Sequence, residues 1–279
     1  MCKHYNKMTG MMARTMKEVF MQDSEKRQMV QTEIGPVCLS DTEFAEYALK
    51  KALSKTPAPF SGVIFDMDGV IFDSEREVLH AWQEVAAKHQ IPHIKDVIIA
   101  CLGTNFQATR KKFDDYYGAD FPFDQYEDEM RAIFYRRYDE NHGLPLKKGV
   151  KGLLVDLKSR NVPVALASST REEVVRRELE DAKIIEYFDA IVCGDMVARS
   201  KPAPDIFLKA AETISIAPTD GFVIEDSYNG IRAAHAAALR PIMVPDLKGP
   251  DEEMKAKTEV ILPDLDTVRT YFDAIDVKL

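Results

Sequence analysis

Two carboxylates two residues apart, Asp66 and Asp68, stand at the end of the apolar run Val63-Ile64-Phe65, and Gly69 follows them. The run reads as a buried strand and the glycine as the point where the backbone turns away. A charge at the end of a strand buried on both faces is costly unless something pairs with it, and a metal ion or a phosphate is the partner such a position calls for. An open α/β sheet binds ligands in the crevice outside the carboxyl ends of its strands, where two carboxylates at this spacing can face one ligand. The same spacing at Asp264 and Asp266 has no such strand before it.

Three further strand ends carry groups able to act with this pair. The run from Val162 to Ala167 ends in Ser168-Ser169-Thr170. Thr170 reads as the N-cap of a helix from about Arg171 to Asp181, and Ser168 sits one step earlier, where a hydroxyl and nearby backbone N–H groups could hold a phosphate. After the strand Ala190 to Cys193 comes Ser200-Lys201-Pro202-Ala203-Pro204-Asp205, whose prolines display the Lys201 ammonium from a rigid loop and open the next helix. The strand Gly221 to Ile224 ends in Glu225-Asp226-Ser227. Adjacent acids at a strand end point in different directions, so at least one should reach the crevice of Asp66.

The elements that must position these groups follow from periodicity. Val78, Trp82, Val85 and His89 give one amphipathic helix, which Pro92 ends. The helical pattern then continues to about His142, with Phe113, Tyr116, Tyr117, Met130, Ile133, Phe134 and Tyr138 read as a packed helical core rather than a ligand cage. Between these helices Leu102-Gly103-Thr104-Asn105 forms a short turn placed to face a ligand, and Arg110 to Lys112 could meet an anionic substrate. From Gly149 onward helix and strand alternate, ending in the strand Pro241 to Val244 and a helix near Leu265 to Ile275. Alternation of this kind predicts an α/β fold with a parallel sheet.

The strand, Asp-x-Asp-Gly and the following Asp73-Ser74 resemble the first motif of the haloacid dehalogenase superfamily, in its phosphatase and phosphomutase branch. The dehalogenases themselves lack the second aspartate, here Asp68. Two acids, a hydroxyl, a lysine and two acids match the superfamily's four motifs in order, over about Val63 to Val244. The resemblance implies a doubly wound, Rossmann-like parallel sheet formed by residues 61–75 and 148–279, with a helical-bundle cap, 76–147, inserted after the first motif.

It also implies roles. Asp66 would be the nucleophile and a magnesium ligand. Asp68 would be a general acid–base that also offers its backbone carbonyl to the metal, and Glu225 and Asp226 would complete the Mg2+ site directly or through water. Ser168 and Lys201 would hold the transferring phosphoryl group, with Ser169, Gly103, Thr104, Asn105 and Arg110 as substrate contacts. The stretch Lys201 to Phe207 is similar to that of β-phosphoglucomutases and of many sugar-phosphate phosphatases. Mutases of that kind carry a histidine at the place of Val78 and an arginine near Phe106, and both positions are apolar here. His80 cannot replace the histidine, because two residues along a helix is about 200° around it. The expectation is therefore a magnesium-dependent phosphatase of a small phosphorylated metabolite, a sugar phosphate at family level, working through an aspartyl-phosphate. A phosphomutase is the alternative and a non-catalytic member a weaker one, since its motifs should be broken.

Composition narrows the setting. The 279 residues are 46% hydrophobic and 30% charged, with a net charge of -9. That balance fits a soluble globular chain and opposes broad nucleic-acid binding, which needs a basic surface. The four cysteines are scattered without a Cys-x-x-Cys pair, and no apolar run approaches the roughly 20 residues of a membrane span. A cytoplasmic monomer is the expectation. Residues 1–60 read as an extension, partly disordered or helical: methionines crowd its start, so translation could begin at a later one, and Thr42 to Lys55 is helix-like with Asp41 as its cap.

Overall fold

The structure, a computed structural model, describes residues 27–32, 35–54, 56–102, 104 and 106–278. The described residues divide into two units, one up to Lys51 and one from Ala52 onward.

In the first unit, β1 (Arg27–Thr32) and β2 (Gly35–Ser40) pair antiparallel, and α1 (Asp41–Ala52) follows. The extension thus holds a hairpin that the methionine-rich sequence did not suggest. The helix was expected, but Ser40 caps it in place of Asp41: the Glu43 carboxylate accepts from the Ser40 N–H at 2.9 Å, and the Ser40 hydroxyl accepts from the Glu43 N–H at 3.4 Å. The expectation of a later start methionine lies outside the described residues.

The second unit is built on a six-stranded parallel sheet in the order β5-β4-β3-β6-β7-β8. Its strands are β3 (Gly62–Phe65), β4 (Val164–Ser168), β5 (Ala190–Cys193), β6 (Gly221–Glu225), β7 (Arg240–Met243) and β8 (Val260–Ile261). The order reverses at β3, the first strand of this sheet, and the doubly wound expectation is met. Strands buried on both faces need apolar residues throughout, and β3, β4 and β6 are buried along their whole length. On one face α8 (Asp205–Thr213) packs Ile206, Phe207, Ala210 and Ala211 beside Ala233 and Ala234 of α9 (Tyr228–Ala236). On the other, α6 (Val150–Ser159) packs on α11 (Leu265–Asp273). Phe60 stacks on Phe272 with ring centroids 4.9 Å apart and meets Phe222 edge-on, and it is fully buried. The α/β core therefore starts at least one residue before the expected boundary at 61.

Between β3 and β4 stand α2 (Ser74–His89), α3 (Ile94–Cys101), α4 (Phe106–Tyr117) and α5 (Phe123–Glu140). They make the helical cap. Trp82, Val85, Phe113 and Phe123 are buried at its centre, with Trp82 and Phe113 centroids 4.9 Å apart. Tyr116, read as part of that core, is instead exposed. The helical pattern expected to run on to about His142 did not separate α3, although its Ile94, Val97, Ile98 and Cys101 fall at the i, i+3, i+4, i+7 spacing of one buried helix face.

The two connections between cap and core pair with each other. Asp73 donates its N–H to the Pro145 carbonyl and Lys147 donates its N–H to the Ile71 carbonyl, both at 2.9 Å. Beneath them the buried Asp246 carboxylate accepts from Lys147 Nζ at 2.6 Å and from Arg76 Nη2 at 3.2 Å. One carboxylate of the core thus grips both connections.

Candidate active site

Register decides the site's location. Phe65 pairs with Leu166 on one side and with Ile224 on the other, so the ends of β3, β4 and β6 lie level at the place where the strand order reverses. Asp66, the first residue beyond β3, donates its N–H to the Ile224 carbonyl at 3.0 Å and is fixed beside β6. There Lys201 Nζ, itself buried, is shared between Asp66 Oδ1 and Glu225 Oε1, the latter at 2.9 Å, and also donates to the Ala167 carbonyl at 3.2 Å. The second oxygen of Glu225 accepts from the Ser227 N–H at 2.6 Å.

Two glycines make room for this cluster. Gly69 has φ +78°, and a Cβ there would collide with the carboxylate of Asp226. Gly230, in the first turn of α9, leaves the space that the Glu225 carboxylate occupies. Gly69→Ala is expected to cost about 1–2 kcal/mol from the left-handed backbone alone and to lower activity through displacement of Asp226. Urea unfolding and a phosphate-release assay on the same preparation check it; unchanged stability would show that the turn adopts another conformation.

The electrostatics are those of a site short of positive charge. Carboxylate oxygens of Asp66, Glu225 and Asp226 lie within 4.8 Å of one another, and Lys201 is the cation buried with them. Burial, helped by Glu225 and Asp68 and opposed by Lys201, pushes Asp66 up to about 8. Burial and then Glu225, Asp66, Glu75 and Asp246 hold Asp226 well above the usual carboxylate range. Burial would lower Lys201, but Asp66 and Glu225 outweigh it and hold the ammonium charged. Three acids against one lysine, all offering hard oxygen donors, fit a divalent cation such as Mg2+.

Asp68 stands outside this cluster. Its carboxylate accepts from the Ser74 hydroxyl at 2.8 Å and from the Thr170 hydroxyl at 3.2 Å. Thr170 was expected to cap the following helix; α7 (Glu172–Asp181) instead has Arg171 at its cap position, and the Thr170 hydroxyl is spent on Asp68.

A cavity of about 420 Å³ opens over these strand ends. Asp66, Asp68, Lys201, Glu225 and Asp226 line it together, and so do Ser169 and Thr104. Ser168 lies beneath, fully buried, its hydroxyl accepting from the Thr170 N–H at 3.1 Å. Gly103 and Asn105 lie outside the described residues. Arg110 is not brought to the cavity: its guanidinium pairs with Asp124 through both carboxylate oxygens, at 2.5 and 2.9 Å, on the exposed side of the cap. Lys111 pairs with Asp115, and Lys112 donates to the Ala100 carbonyl. The basic run is a surface, as its alternation with acids in the folded helix explains.

Sequence reasoning missed several lining residues. Glu75 follows Ser74 directly and enters the cavity from the first turn of α2; burial and then Asp68 and Asp246 push it up to about 7. Tyr228 and Asn229 follow the last acidic pair, and Lys248 arrives from the loop after β7, with its Nζ 3.9 Å from the centre of the Tyr228 ring.

The profile of the family described as haloacid dehalogenase-like hydrolase matches residues 63–244, from β3 to the end of β7 and its following residue. The chain belongs to this family. Among relatives of the haloacid dehalogenase-like hydrolases, it is 31% identical over 186 residues to the fructose-1-phosphate phosphatase YqaB of Escherichia coli, covering 66% of this chain and 96% of that one. It is 32% identical over 187 residues to the β-phosphoglucomutase of Bacillus subtilis, covering 63% of this chain and 80% of that one. A crystal structure of a haloacid dehalogenase family hydrolase from Deinococcus radiodurans, with bound phosphate and sodium, superimposes with a TM-score of 0.66 at 26% identity, covering 78% of this chain and 97% of that one. Membership in the family and the phosphatases among its relatives support an enzyme of the phosphoric monoester hydrolase class. Among the described residues, no helix is long and apolar enough to cross a membrane.

Proposed function

We propose that the protein is a magnesium-dependent phosphatase that releases phosphate from a small phosphorylated metabolite of the sugar-phosphate type through an aspartyl-phosphate. The observation that carries the reading is Asp66 held by Lys201 at the mouth of β3, within reach of Glu225 and Asp226. The cap, residues 76–147, would close over this site, and the core, 61–75 and 148–279, would carry the chemistry. The sugar-phosphate class is supported by the fructose-1-phosphate phosphatase and the mutase among the relatives.

Asp66, Asp226, the Asp68 carbonyl and Glu225 would hold Mg2+, with Glu225 using the lone pairs that Lys201 and Ser227 leave. When bound, the metal would offset the negative charge of the phosphoester oxygens. A carboxylate oxygen of Asp66 attacks phosphorus and the ester P–O bond breaks; Asp68 gives its proton to the departing alkoxide. Asp68 then takes a proton from water as that water attacks the aspartyl-phosphate, freeing Asp66 and inorganic phosphate. Ser74 and Thr170 fix the Asp68 carboxyl for both transfers. Lys201 keeps Asp66 oriented and offsets charge as the phosphoryl group moves. Ser168, through the Thr170 N–H, and Ser169 and Thr104, from the cavity wall, position the phosphoryl group and its alcohol. The enzyme would act as a monomer in the cytoplasm, with no nucleic-acid or membrane partner.

The test is β-glucose 1-phosphate with a trace of glucose 1,6-bisphosphate and magnesium, following inorganic phosphate and glucose 6-phosphate together. Phosphate without glucose 6-phosphate is expected. Glucose 6-phosphate without phosphate would establish the mutase and show that Val78 and Phe106 do not decide the outcome.

A further inference from the structure

The active-site cavity does not end at the core. Glu75, Leu102 and Thr104 line both it and a second cavity of about 260 Å³ that runs into the cap. The walls of that extension are mainly Val78, Trp82, Ile98, Phe106, Phe123 and Met130. Three are aromatic, with Phe106 meeting Phe123 edge-on at 5.8 Å and Trp82 lying 6.1 Å from Phe123. Phe106, which lines this cavity, is half exposed although large and apolar.

Apart from Glu75 at its junction with the active-site cavity, the polar side chains of the extension are already engaged. The Thr104 hydroxyl donates to the Cys101 carbonyl at 2.6 Å and lies 2.9 Å from the Thr109 hydroxyl. Glu127 is paired with Arg131. An occupant covered in hydroxyls would exchange its hydrogen bonds to water for apolar contact, which is unfavourable for each group left unpaired. A flat ring loses little and gains contact area on the half-exposed Phe106, with the nearly buried Trp82 and Phe123 behind it. The volume is below the roughly 300–1,000 Å³ of pockets for drug-sized ligands and suits one ring system.

We propose that the alcohol half of the substrate carries an aromatic or heteroaromatic ring, which this apolar extension of the cap receives while the phosphate sits over Asp66. The proposal rests on the phosphatase reading and narrows it: the sugar phosphate is one bearing a ring, as a nucleoside monophosphate does. Val78 and Phe106, the positions where the mutases carry a histidine and an arginine, become parts of the ring site.

Uridine 5′-monophosphate and ribose 5-phosphate differ at the anomeric carbon, where one carries a base and the other a hydroxyl, so they isolate the ring. With the full chain and magnesium, kcat/KM is expected to be on the order of tenfold to hundredfold higher for the nucleotide, the range that stacking one base on aromatic side chains supplies. Phe106→Ala is expected to bring that ratio to about one. Equal rates, or faster turnover of ribose 5-phosphate, would overturn the proposal, as would a ratio untouched by Phe106→Ala. If neither of these esters nor β-glucose 1-phosphate releases phosphate, the phosphatase reading fails, and binding decides the ring site separately. Trp82 is the only tryptophan, so its fluorescence reports on that wall. Saturable quenching by uridine 5′-monophosphate and none by ribose 5-phosphate supports the ring site; no quenching by either overturns it.

Discussion

Asp66→Asn is expected to lower phosphate release by about 10⁴-fold or more, the scale at which removal of a covalent nucleophile acts, while leaving the chain folded. Asparagine is nearly the same shape and still accepts from Lys201, but its amide cannot attack phosphorus. Burial, opposed by Lys201 and helped by Glu225 and Asp68, raises Asp66, so without metal the folded site favours the neutral form and asparagine is a fair copy of it. Thermal unfolding without magnesium should therefore change little. With magnesium the two proteins should separate: the wild type gains stability as the ion binds the folded state, and the variant, lacking one anionic ligand, gains less. Retained phosphate release in the variant would refute the covalent mechanism. An equal magnesium-induced rise in melting temperature would remove Asp66 from the metal site.

The parts of the fold that were legible are those where one physical demand acts alone. Val63 to Phe65, Ala165 to Ala167 and Phe222 to Ile224 are apolar throughout, as burial on both faces demands. Their polar ends were legible for the same reason, which is why Asp66, Asp68, Lys201, Glu225 and Asp226 meet as expected. Groups placed by tertiary contacts were not. Arg110 reads as a free cation until α5 brings Asp124 against it. Thr170 reads as a cap until the end of β4 comes beside Asp68. Lys248 has no local signal, since it comes to Tyr228 from a loop twenty residues further on. The β1–β2 hairpin and the two-residue β8 lack an apolar run long enough to stand out.

Glu178→Gln is expected to stabilise the protein above neutral pH, by up to about 3 kcal/mol. Glu178 lies on α7 with its side chain turned inward, 6% exposed, against a small cavity that Asp68, Ser74 and Thr170 also line. Burial and then Asp68 push it up to about 7 from 4.5, with Arg177 opposing and Asp181 adding to the rise. The sign follows from proton counts. Between these two values the folded state holds a proton that the unfolded chain has lost, so stability falls as pH rises through this window. The contribution is complete below the unfolded value and gone above the folded one. Glutamine carries no such proton, and its advantage should therefore grow from near zero at about pH 4 to its full size at about pH 8. Urea unfolding of both proteins across that range measures the difference directly. A constant offset at every pH would mean that packing, not ionisation, separates them, and a loss at about pH 8 would mean that the Glu178 carboxylate has a cationic partner in solution. Because Glu178 lines the cavity behind Asp68, the same titration places a second negative charge near the proposed acid–base group.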